Sequence, residues 1–171
     1  MNQLAKVMPS LKNQFSKNED FAKAGFNDIL TKSMLEGALH LDCQELSSCW
    51  FENVGHGKFV KHILPVEAQF APVDAILVND FDGDGKKDIL IAGNEYQTEP
   101  MIGRYDASYG LFLKGLGGGK FLPMKPTDDG FFIKGDVKDL KLIKGHFGND
   151  LILAAVNDQP LAIFECKKTQ K

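Results

Sequence analysis

The chain has 171 residues, of which 43% are hydrophobic, 25% charged and 17 glycine, a composition that excludes a disordered or fibrous polymer and fits one globular domain or a piece of a larger one. Lys and Arg number 20 against 23 Asp and Glu, a net charge of −3, so bulk electrostatics draws the chain to neither nucleic acid nor an anionic membrane. No apolar run approaches the ~20 residues that span a bilayer, and the opening Met1-Asn2-Gln3-Leu4-Ala5-Lys6 leads into a polar helical pattern without the apolar stretch of a signal peptide.

Leu4, Val7, Met8, Leu11 and Phe15, then Phe21, Ala24, Ile29, Leu30, Met34 and Leu35, recur at helical spacing. The pattern predicts two or three short helices ending near Gly37, with Asn18 or Asn27 as an N-cap. Pro9 falls at a helix start, which leaves Met8 extended. Residues 1–37 thus form a helical segment, and residues 38–171 are of a different kind.

From about Ala38 onward, short apolar runs alternate with glycine and aspartate turns, as in Ala75-Ile76-Leu77-Val78, Ile89-Leu90-Ile91-Ala92, Gly110-Leu111-Phe112-Leu113 and Leu151-Ile152-Leu153-Ala154. These predict short strands in antiparallel pairing, with no helical crossovers between them. The runs also repeat. Gly55-His56-Gly57-Lys58-Phe59 matches Gly117-Gly118-Gly119-Lys120-Phe121, and Asp88-Ile89-Leu90-Ile91-Ala92 matches Asp150-Leu151-Ile152-Leu153-Ala154, both at an offset of 62.

One full unit then spans 73–126, with strands near Asp74–Asn79, Asp88–Ala92, Tyr109–Lys114 and Lys120–Met124. A partial unit at 38–72 supplies two strands, Ser48–Asn53 and Lys58–Leu64. Another at 127–166 supplies three, near Val137–Ile143, Asn149–Val156 and Leu161–Glu165. Four short antiparallel strands per repeat is the plan of a β-propeller blade, and the expected fold is mainly β: two to two-and-a-half such blades behind the helical segment. A closed propeller needs about four blades or more, so the blades here leave open strand edges for the rest of a parent propeller or for self-association. A compact β-sandwich or open meander is the competing arrangement.

The segment richest in chemistry is Asp80-Phe81-Asp82-Gly83-Asp84-Gly85-Lys86-Lys87-Asp88. Its carboxylates stand at positions 1, 3, 5 and 9 around a glycine at position 6. Alternate carboxylates on a tight loop converge on one point, which suits Ca²⁺ and its six to eight hard oxygen ligands. The expected ligands are Asp80, Asp82, Asp84, Asp88 and the backbone carbonyl of Lys86. An EF-hand is excluded, because position 12 is Ile91 rather than a glutamate and the flanking runs are strands. The same offset sets Leu142, Lys144 and His146 opposite Asp80, Asp82 and Asp84, so the second copy keeps only Asp150.

The run Asp80–Leu90 resembles the FG-GAP or VCBS-type calcium repeat of integrin α-subunit propellers. Glu52-Asn53-Val54-Gly55-His56-Gly57-Lys58-Phe59 is similar to the turn between the third and fourth strands of those repeats. Leu64–Pro72 together with Gly103–Gly110 resembles bacterial members associated with the ASPIC/UnbV group. The likeness covers about residues 36–165, and two departures stand out: the acidic loop is lost from the second copy, and no signal peptide opens the chain. The resemblance implies an extracytoplasmic calcium-binding propeller, periplasmic, secreted or on the cell surface, of which this chain holds the last blades. Its expected role is non-enzymatic recognition of a protein or carbohydrate, with part of a carbohydrate- or polymer-acting enzyme and a strand-exchanging assembly piece as rivals.

Other groups carry weaker signals. Gly115–Phe121 lacks the first glycine and the Ser/Thr of a phosphate loop and reads as a hairpin turn. His40, His56, His62 and His146 have no metal-ligand spacing, and no serine-nucleophile elbow is present. Asp128-Asp129, or Glu99 with Asp106, has the chemistry of a glycosidase pair, but the better reading of either is a solvated turn. The long link Asn94–Ser108 carries Tyr96, Arg104, Tyr105 and Asp106, a candidate ligand-binding set on a loop above a rigid sheet. Cys43, Cys49 and Cys166 form an odd set without CxxC spacing, read as thiols, with a Cys43–Cys49 or Cys49–Cys166 pair possible in an oxidising compartment.

Overall fold

A computed structural model describes residues 1–166. The chain divides into two compact units, Met1–Glu45 and Leu46–Lys171; Lys167–Lys171, the end of the expected repeat region, lie outside the described residues.

The first unit holds four short helices: α1 (Leu4–Val7), α2 (Leu11–Gln14), α3 (Asn18–Lys23) and α4 (Phe26–Ile29). Helices of this length are not stable alone and depend on packing. Leu11 and Ala5 are its buried apolar residues, and the Phe15 and Phe21 rings meet edge to face at 5.5 Å. Met8 leaves the helical region at φ −124° and ψ 80°, and Pro9 sits in the turn before α2. Neither predicted N-cap holds. Asn18 lies inside α3 behind Lys17, and Asn27 lies inside α4 behind Gly25, whose N–H donates to Asp28 Oδ2 at 2.8 Å. The carboxylate three residues on satisfies the helix entry that an asparagine was expected to cap.

The second unit is mainly β and consists of three antiparallel sheets. The first pairs β1 (Cys49–Gly55) with β2 (Lys58–Ile63); the second runs β3 (Val73–Asn79), β4 (Asp88–Gly93), β5 (Leu111–Gly117), β6 (Lys120–Pro123); the third runs β7 (Val137–Lys144), β8 (Asp150–Val156), β9 (Ala162–Glu165). Every strand pairs with its chain neighbour. A 3₁₀ turn (Val66–Gln69) and the short helix α5 (Pro126–Asp129) link the sheets.

The repeat is visible in the turns. β1 and β2 meet at Gly55 and Lys58 around His56-Gly57, and β5 and β6 meet at Gly117 and Lys120 around Gly118-Gly119, each with a register shift just before the turn. All four central residues have positive φ (52°, 71°, 58° and 70°), as a two-residue hairpin loop of the I′ kind requires. A Cβ on Gly119 would lie 2.4 Å from Trp50, whose ring stacks on His62 at 4.4 Å, so the indole packs directly on the second turn.

The uniform offset of 62 fails across the first strand of each unit. Asn79 pairs with Asp88 to close one hairpin and Lys144 with Asp150 to close the other, so residues 80–87 correspond to residues 145–149. Leu142 and Lys144, set opposite acidic-loop residues by the constant offset, are strand residues paired with Ile152 and Asp150. Register follows the buried faces, with Leu77 opposite Leu90 and Leu142 opposite Ile152, and the turn absorbs the missing residues.

All six residues of β4 are buried, which makes it the central strand. Leu90 and Ala92 point into one apolar cluster with Ala75, Phe81 and, from the third sheet, Val137, Leu140, Ile152 and Ala154. Ile89 and Ile91 point into a second cluster with Ala68 and Leu113. A strand covered on both faces reads as a continuous apolar run, and Ile89–Ala92 does. No disulfide joins Cys43, Cys49 or Cys166.

One ammonium ties the second and third sheets. Lys138 Nζ lies 2.7 Å from Asp136 Oδ1, 2.9 Å from Asp74 Oδ2 and 3.8 Å from Glu95 Oε2. Asp136 is fully buried, its contact with Lys138 is an ion pair without hydrogen-bond angles, and Oδ2 has no hydrogen-bond partner among the described residues. The Asp136 carboxylate first, then Asp74, holds the Lys138 ammonium well above the ordinary lysine range. Lys138→Met leaves Asp136 buried and uncompensated; with the lysine itself partly exposed, the expected loss is about 2 kcal/mol. Urea unfolding checks it, with Glu95→Gln, at the longer contact, expected within about 0.5 kcal/mol of the parent protein.

Candidate metal centre

The acidic loop winds around its own carboxylates. Asp80 Oδ1 accepts from the N–H groups of Gly83 (2.7 Å) and Asp84 (3.1 Å), and its Oδ2 accepts from Gly85 N–H at 2.9 Å. Asp82 Oδ1 accepts from Asp84 N–H at 3.0 Å, and Asp84 Oδ1 from Lys86 N–H at 2.8 Å. Gly83 and Gly85 allow the coil because each has positive φ, 79° and 88°.

Asp88, at the start of β4, is fully buried. Its Oδ2 accepts from Phe81 N–H at 2.9 Å and its Oδ1 from Gly115 N–H at 2.8 Å, which joins the two ends of the loop to β5. The approach is close enough that a Cβ on Gly115 would lie 2.0 Å from the Lys87 carbonyl oxygen.

Asp80, Asp82 and Asp88 each present a carboxylate oxygen within 4.8 Å of the others. They form an acidic group able to hold a metal, and an all-carboxylate donor set with room for water and carbonyl oxygens suits a hard divalent cation. Asp84 stands outside this group, with its Oδ2 3.6 Å from Lys86 Nζ and 3.7 Å from Lys114 Nζ. Lys86, expected to contribute its carbonyl, meets the loop through its N–H and its ammonium on Asp84.

Lys114 was not foreseen. It comes from β5, 32 residues after Asp82, and its ammonium donates to Asp82 Oδ2. That hydrogen bond is the chief reason the Asp82 carboxyl is held below its ordinary range, against desolvation, and the same contact raises the Lys114 ammonium. The nearest sequence signal was strand alternation, which sets Lys114 and Phe112 on the face opposite Leu113, but nothing local pairs it with Asp82. In the second hairpin, Lys144 Nζ contacts Asp150, so the counterpart of Asp88 meets a lysine where Asp88 meets backbone N–H groups.

The other predicted set lies in one loop. Glu95 bridges Tyr105, Arg104 Cζ sits 4.5 Å over the Tyr96 ring, and Asp106 is exposed. Buried Asn94 anchors the loop, donating to the Ser108 and Gly135 carbonyls at 2.8 Å each and accepting from Ser108 N–H at 3.1 Å. Arg104 and Tyr96 thus engage each other.

No protein-family model, no curated protein and no solved structure matches the chain.

Two expectations concern the loop without metal. Asp88→Asn replaces one of two acceptor oxygens by an amide that opposes a buried N–H, so urea unfolding in chelator is expected to show a loss of about 2–3 kcal/mol. The Asp82 carboxyl is depressed in the folded state, so its contribution is full above the unfolded value of about 3.9 and is lost as pH falls through the folded value. The stability difference between the parent protein and Lys114→Met, measured in chelator, is therefore expected to shrink as pH falls below about 4, the unfolded carboxyl value.

Proposed function

We propose that the chain is a non-enzymatic calcium-binding module whose second and third sheets are blades of an FG-GAP or VCBS-type propeller, working outside the cytoplasm in recognition or structural interaction. The carrying observation is the convergence of Asp80, Asp82 and Asp88 in a hairpin loop of a repeated antiparallel sheet. The consecutive pairing of β3 to β6 and of β7 to β9 supports the blade reading, as does the apolar packing of β3 and β4 against the third sheet.

Asp80, Asp82 and Asp88 would hold the ion, with Asp84 and the Lys86 carbonyl completing the shell. The ion supplies positive charge, which relieves the repulsion among four carboxylates and stiffens the loop. Calcium fits this role better than magnesium, which demands near-ideal octahedral geometry and sheds water reluctantly. Millimolar calcium outside the cell suits an open, three-carboxylate loop of modest affinity. The outer edges of β1 and β9 would meet further blades or a second copy, and the loop over residues 94–108 would meet a protein or carbohydrate partner.

Calcium at a hundredfold excess over Kd is expected to stabilise the protein by about 2.7 kcal/mol relative to chelator. Asp80→Asn with Asp82→Asn should abolish that shift, and Lys114→Met, by removing the competing ammonium, should tighten calcium binding in a calorimetric titration. Identical melting curves in calcium and in chelator would overturn the proposal.

A further inference from the structure

A cavity of about 740 Å³ opens between the second and third sheets, beside the acidic loop. Its size lies within the ~300–1,000 Å³ of small-molecule sites. Two aromatic pairs form its apolar wall: Phe81 with Phe112, ring centroids 6.1 Å apart, and Phe131 with Phe164, at 5.0 Å. Leu90 and Ile152 fill the floor between them. The four phenylalanines come from the acidic loop, β5, the segment before β7, and β9, so only the packing of the two sheets brings them together.

The rim is acidic. Asp128 and Asp129 from α5, Glu165 from β9 and Asp82, paired with Lys114, are all among the cavity's lining residues. The single ammonium among the described lining residues is already bonded to Asp82 and lies 3.7 Å from Asp84, so it offers an anionic ligand little. Asp129 accepts from Phe131 N–H at 2.6 Å, and Glu165 from Asn149 Nδ2 at 2.6 Å. Burial also raises the Asp129 carboxyl above its ordinary range, as expected of an acid partly withdrawn from water.

An apolar aromatic wall beneath an excess of carboxylates selects one ligand class. A neutral apolar molecule would fill the wall and leave the rim unused; an anion would be repelled. An amphipathic ammonium gains the carboxylates through its charge and the aromatic wall through its apolar body. We propose that this cleft binds a small amphipathic organic cation, an arylalkyl or branched-alkyl ammonium, with its apolar body against Phe81, Phe112, Phe131 and Phe164 and its ammonium at Asp128, Asp129 and Glu165. The proposal goes beyond the calcium reading and does not depend on it.

The test uses the full chain in chelator, so that calcium has no part in the result. Three matched probes, 3-phenylpropylammonium, 3-phenylpropanol and 3-phenylpropionate, are titrated by calorimetry and by backbone-amide NMR. The ammonium is expected to bind at least about tenfold more tightly than the carboxylate, with shifts concentrated at Phe131, Phe164 and Glu165. Asp128→Asn with Glu165→Gln, both at exposed positions, should weaken the ammonium at least about fivefold and leave the alcohol within about twofold. Phe112→Leu, which keeps the wall apolar, should weaken ammonium and alcohol alike. Equal affinity for the three probes, shifts confined to other surfaces, or no saturable binding below about 5 mM would each overturn the proposal.

Discussion

A single buried carboxylate organises the second unit. Asp88 takes one backbone N–H from Phe81 and one from Gly115, so the acidic loop, the start of β4 and the middle of β5 are joined through one side chain. Burying a carboxylate is costly unless its oxygens find donors, and here each oxygen accepts from one backbone N–H that cannot move away. The same bonds require β5 to pass so close to the loop that Gly115 is the residue that fits. With the loop pinned there, Asp80 and Asp82 lie beside Asp88, and Phe81 is turned into the apolar cluster between the sheets.

Carboxylates of the second unit are balanced by lysines, some near in the chain and some far. Lys114 reaches Asp82 and Asp84, Lys144 reaches Asp150, and Lys138 reaches Asp136, Asp74 and Glu95. Each is a tethered cation that satisfies carboxylates without a dissociable ion. Asp82, under the first, is partly exposed, whereas Asp136, under the last, is fully buried. The two arrangements divide the acids into a group suited to exchange and a group suited to holding sheets together.

The strands were legible because their signals are local. Ile89–Ala92 is an unbroken apolar run ended by Gly93, Gly117-Gly118-Gly119 is a turn with positive φ, and the two hairpin turns match at every position from Gly55 to Phe59 except His56, which stands where the other has Gly118. The helix caps were less legible, since Asp28 could replace Asn27 at no cost to the pattern. The constant repeat offset misled for a related reason: identity in two anchors says nothing of where between them residues are missing, and pairing of Leu142 with Ile152 decides that.

The candidate metal loop was readable from its spacing, because carboxylates on a tight glycine-bearing turn are held near one another, although spacing alone did not say that Asp80, Asp82 and Asp88 would be the ones to converge. Sequence likewise determined a mainly β second unit, its hairpin turns and its central apolar strand, all features that short-range periodicity and glycine conformation dictate. Only tertiary structure decided that Lys114 would stand among those carboxylates, that Asp84 would leave their group, and that four phenylalanines would line one cleft. These depend on contacts between residues far apart in the chain, formed when two sheets bury their apolar faces against each other, and no local pattern encodes which side chains that packing brings within reach.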